Sequence, residues 1–61
     1  MDSLEIKALI HSIDQIRQSA EALIEKAQGI QAVERNAQRI LASTSMLQMH
    51  LTDIFGGDYR L

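Results

Sequence analysis

Apolar or small residues recur at Ile6, Leu9, Ile13, Ile16, Ala20, Leu23, Ala27 and Ile30, and again at Val33, Ala37, Ile40, Thr44, Leu47, Leu51 and Ile54. The steps alternate between three and four residues, a rhythm that keeps one stripe of an α-helix turned toward a partner. Two such series on either side of Gly29 predict an all-α fold, an antiparallel helical hairpin forming a single domain over 1–61. The expected elements are a helix over 3–28, a turn at 29–31, a helix over 32–55 and a mobile tail over 56–61 unless Tyr59 and Leu61 dock. Asp2 with Glu5 three residues on has the spacing of a capping box and puts acids at the positive end of the helix dipole. Gly29 suits the left-handed position just past a helix, Gln31 is a mediocre cap for the second helix, and Gly56-Gly57 should stop it.

Folding the chain back at the turn pairs the two series in layers: Ile30 with Val33, Ala27 with Ala37, Leu23 with Ile40, Ala20 with Thr44, Ile16 with Leu47, Ile13 with Leu51, and Leu9 with Ile54. With Ile6 as heptad position a, the e positions are Ile10, Arg17 and Ile24 on the first helix and Glu34, Leu41, Gln48 and Phe55 on the second. Antiparallel pairing brings Ile24 near Leu41 and Ile10 near Phe55. The g positions, Glu5, Ser12, Ser19, Lys26, Asn36, Ser43 and His50, are polar and mostly small. The seam therefore widens toward e, and Ile10, Ile24, Leu41 and Phe55 are the expected interface through which two hairpins dimerise into a four-helix bundle. Each buried aliphatic or aromatic side chain contributes roughly 1.5–3 kcal/mol, enough for a few to decide between a folded dimer and a frayed monomer.

Composition points the same way. A chain of 61 residues sits near the size below which a lone core struggles to offset conformational entropy, and the lack of cysteine removes disulfides and thiolate zinc sites as supports. Self-association is the remaining route, as a homodimer or a tetramer. The N-terminus has acidic Asp2 and Glu5 where a signal peptide has basic residues, and no apolar run approaches the roughly 20 residues of a membrane span. A cytoplasmic protein that does not engage membranes is expected. The net charge of −2 arises from interspersed acids and bases, which disfavours a nucleic-acid partner.

Few side chains suggest chemistry. His11 and Asp14, and likewise His50 and Asp53, share a His-x-x-Asp spacing that puts imidazole and carboxylate on one helical face. Their heptad positions differ, f and b against g and c, so no joint metal site is expected. Ser12, Ser19, Ser43 and Ser45 have no histidine in the seam to activate them, so neither catalysis nor a cofactor is expected. Thr44 is the one polar residue of the central layers and can bond the carbonyl of Ile40. The outer face of the second helix carries the candidate partner-binding site: Arg35, Arg39, Ala42, Met46 and Met49 fall at f and c positions as one strip, with Gln38 beside it. Methionine adapts to irregular surfaces, and arginine is enriched in interfaces.

The hairpin length, the layering and the short runs Leu23-Ile24-Glu25-Lys26 and Phe55-Gly56 resemble the plasmid-encoded, RNA-binding repressor-of-primer family. The resemblance implies an antiparallel four-helix bundle. That family's RNA face is a row of basic, amide and aromatic residues on the first helix, whereas this chain offers His11, Asp14, Gln18, Glu21 and Glu25. The architecture therefore carries over and the RNA activity does not. The leading expectation is a non-enzymatic, regulatory protein-interaction module acting as a homo-oligomer. The alternatives are a nucleic-acid-binding regulator of the repressor-of-primer kind, using Arg17, Lys26, Arg35 and Arg39, and a structural accessory subunit of a larger complex.

Overall fold

The computed structural model describes residues 2–56. Two α-helices, α1 (Ser3–Ala27) and α2 (Gln31–Phe55), pack against each other as a hairpin with extents of 42 × 18 × 14 Å. The expected mobile tail, with Tyr59 and Leu61, lies outside the described residues apart from Gly56. No helix among the described residues is long and apolar enough to cross a membrane.

Each helix end has a local cause. Asp2 is extended, and its Oδ1 accepts a hydrogen bond from the Glu5 amide at 2.9 Å, satisfying one of the four amides that a helix start leaves without an intrahelical acceptor. Glu5 in the first turn and Lys26 in the last both oppose the helix dipole. At the other end of the chain, Gly56 adopts φ 66° and its amide donates to the Thr52 carbonyl at 2.9 Å. This is a left-handed cap of the kind a glycine accommodates without a Cβ clash.

The turn differs from the sequence expectation by one residue. α1 ends at Ala27, and Gln28 rather than Gly29 is the first residue in the left-handed region, at φ 44° and ψ 58°. Gly29 follows at φ 92°. Two consecutive positive φ values reverse the chain within three residues. One of them falls on a residue with a Cβ, for which this conformation costs roughly 1–2 kcal/mol. The cap of α2 is Ile30, which has no side-chain cap hydrogen bond, and Gln31 is already helical. At the start of α2 the Val33 amide donates to the Ile30 carbonyl at 3.1 Å, and in the turn the Glu34 Oε1 accepts from the Gly29 amide at 3.1 Å while the Ile30 amide donates to the Ala27 carbonyl at 3.1 Å.

The core consists of alternate layers of the predicted seam. Ile13, Ala20 and Ala27 of α1 and Ala37, Thr44 and Leu51 of α2 are buried, all of them at a positions. The e-position side chains Ile10, Ile24, Leu41 and Phe55 are half-buried on one flank of this row. The intervening d layers stay open: Ile16 is 42% exposed, Leu23 45%, Ile40 40% and Leu47 43%. Two cylinders touch along a line, so a stripe more than 100° wide is only partly covered by one neighbour. The a row is the part covered because Ala20, Ala27, Ala37 and Thr44 are small, and small side chains permit close helix approach.

Candidate functional site

The hairpin offers two adjoining surfaces, the outside of α2 and the broad face bearing the d layers, and Arg39 borders both. On the first, Arg35, Gln38, Arg39, Ala42, Met46 and Met49 are all exposed, as the heptad pattern predicts. Met46 is 56% and Met49 63% exposed. Arg35, Arg39, Ala42, Met46 and Met49 follow one another in steps of three or four residues and make a continuous strip that starts basic and turns apolar, with Gln38 beside it. Arg35 and Arg39 form no ion pair among the described residues.

The second surface was not singled out by the sequence pattern. Between the helices, on the side away from Ile10 and Ile24, runs a shallow open depression. Its floor includes Ala20 and Thr44, its walls are Ile16, Leu23, Ile40 and Leu47, and its rim carries Ser12, Gln15 and Ser19 from α1 and Asn36, Arg39 and Ser43 from α2. Two sections of about 440 and 370 Å³ meet at Ile16 and Ile40. The surface between these rims is mainly hydrocarbon, so it can bury apolar groups, and the polar side chains stand at its edges. The signal that would have located it was the size contrast between the two rows. Small a residues draw the helices together and thereby turn the large d residues outward.

Ile10, Ile24, Leu41 and Phe55, expected to contact a second hairpin, are half-buried beside the a row. Arg17 interrupts that flank. Its guanidinium bonds Asp14 and Glu21, while its Nε is buried without a hydrogen-bond partner among the described residues. The hydrogen bond that Arg17 donates to Asp14, with the charges of Asp14 and Glu21, holds Arg17 still more firmly in its charged form. Asp14 also accepts from the Gln18 side-chain amide at 2.7 Å, so its carboxylate is fully engaged within α1.

The remaining candidates do not converge. His11, His50 and Asp53 are exposed, and among the described residues no three histidine, cysteine, aspartate or glutamate side chains come together as a metal site. Ser12, Ser19 and Ser43 belong to the rim of the depression, and Ser45 is exposed. Thr44 is buried, and its hydroxyl donates to the Ile40 carbonyl at 2.7 Å, the bond expected from its place in the seam. No family model, curated protein or solved structure matches this chain.

Proposed function

We propose that the protein is a non-enzymatic interaction module that works as a homo-oligomer and presents the Arg35 to Met49 strip to a protein partner. The observation that carries this reading is the pairing of two largely exposed methionines with two arginines that form no ion pair among the described residues, in register on the outer face of one helix. Exposing thioethers to water gains nothing for the hairpin itself, whereas a partner surface that is part apolar and part acidic would bury the methionines and pair the arginines. The open d layers support the oligomeric half of the reading, because a chain this small leaves much of its apolar stripe wet when alone.

The test uses immobilised chain with Met46→Glu beside the unaltered sequence. A protein retained by the unaltered chain and lost from the variant, with helicity and sedimentation unchanged, supports the strip as the docking surface. Equal retention by both removes Met46 from the site, and loss of helicity in the variant assigns Met46 to packing.

A further inference from the structure

The broad face of the hairpin is self-complementary, and we infer that a second copy docks there about a two-fold axis passing through the Ile16–Leu47 layer, perpendicular to the helices. This rests on the self-association part of the proposed function and replaces the e flank with the d face as the contact.

Three rows on this face point to the same axis. On α1 the open d residues read Leu9, Ile16, Leu23, and on α2 they read Ile40, Leu47, Ile54. Each row is a palindrome, and the two centres, Ile16 and Leu47, lie level with each other across the antiparallel hairpin. The neighbouring g row of α1 reads Glu5, Ser12, Ser19, Lys26. Its midpoint falls within half a residue of Ile16, under about 1 Å along a helix. A rotation of 180° about that point lays Glu5 over the partner's Lys26 and Lys26 over the partner's Glu5, with serine against serine between them. Glu5 and Lys26 are exposed and form no ion pair among the described residues. The axis therefore matches charge, side-chain size and apolar surface in one register. An axis parallel to the helices would instead set α1 against the partner's α2, placing Lys26 by the partner's Asn36, with no charge matched.

The fit extends to shape and area. Over the Ala20–Thr44 layer the face is recessed, and the large d residues on either side stand proud of it. Knobs and recesses alternate at the heptad spacing, which is what one copy needs to receive another. The broad side of a hairpin with extents of 42 × 18 × 14 Å is of the size that a stable interface buries, roughly 800 Å² per partner. A globular partner touching part of the groove would leave the rest of the stripe wet.

The experiment is nitroxide labelling of single cysteines at Leu4, His11, Gln18 and Glu25, exposed f positions of α1 in a chain with no cysteine of its own, with distances read by pulsed electron resonance in the dimer. Each residue away from position 16 adds about 3 Å of separation along the bundle, 1.5 Å from each copy. The expected order is Leu4 longest, then Glu25, then His11, with Gln18 shortest. One distance common to all four sites, or a minimum elsewhere than near Gln18, overturns the axis while leaving self-association intact. A monomer at every concentration overturns both. Charge exchange identifies the face: Glu5→Lys and Lys26→Glu should each weaken the dimer about three- to tenfold, since each contact occurs twice, and the double variant should restore it. Without that restoration, the d face is not the contact.

Discussion

The Thr44 hydroxyl donates to the Ile40 carbonyl 2.7 Å away, one turn back in the same helix, so the buried polar side chain of the central layer is satisfied without help from α1. Thr44 accordingly contributes volume to the interface and little interhelical specificity. Thr44→Val should change unfolding free energy by less than about 1 kcal/mol, because donor and bond are removed together. Thr44→Leu should cost about 1–3 kcal/mol by forcing apart a layer whose other member, Ala20, is also buried. Urea denaturation followed by circular dichroism at one fixed chain concentration measures both.

The turn gives a pair of opposite effects at adjacent positions. Gln28→Gly should stabilise by up to about 1 kcal/mol, relieving a left-handed residue of its Cβ while loosening the unfolded chain. Gly29→Ala should destabilise by about 1–2 kcal/mol. A Cβ at Gly29 would meet nothing within 4 Å among the described residues beyond its chain neighbours, so that loss is a backbone effect at φ 92°. Equal midpoints for Gly29→Ala and the unaltered chain would show that the turn relaxes into another form.

Arg17 is an internal test of charge against packing. Its ion pairs with Asp14 and Glu21 are local and solvent-screened, with the Arg17 and Glu21 side chains 37% and 53% exposed, and pairs of this kind contribute little. Arg17→Met keeps the aliphatic stem between Ile10 and Ile24 and removes the buried Nε, which has no hydrogen-bond partner among the described residues. The thermal midpoint should hold or rise in low salt. A clear fall would mean that the carboxylates of Asp14 and Glu21 depend on the guanidinium.

Capping at the start of α1 should be separable from everything downstream. Asp2→Ala removes the acceptor for the Glu5 amide and should cost about 1 kcal/mol. Amide exchange should then speed up in the first turn of α1 while Ala20 and Ala37 remain protected. Uniformly faster exchange would indicate that the hairpin opens as a single unit.

The outer strip should be neutral for folding. Met46→Ala and Met49→Ala are expected within about 0.5 kcal/mol of the unaltered chain, given their exposure of 56% and 63%. A larger loss in dilute solution would place them in an interface between copies.

The three–four spacing of apolar residues by itself determined two helices and the stripe each would bury, and Asp2 and Gly56 marked the outer ends, since helix periodicity and capping are local properties of the chain. Gln28 escaped notice because nothing in a glutamine marks left-handed backbone; the tight closure of the turn imposes it. Only the tertiary structure decided which half of the stripe goes inside. A heptad seam names a and d positions alike, but two helices meet along one line, and the direction of the turn together with the small volumes of Ala20, Ala27, Ala37 and Thr44 assigns that line to the a row. The same choice leaves Ile16, Leu23, Ile40 and Leu47 facing outward, a consequence that exists only once the two helices are packed together.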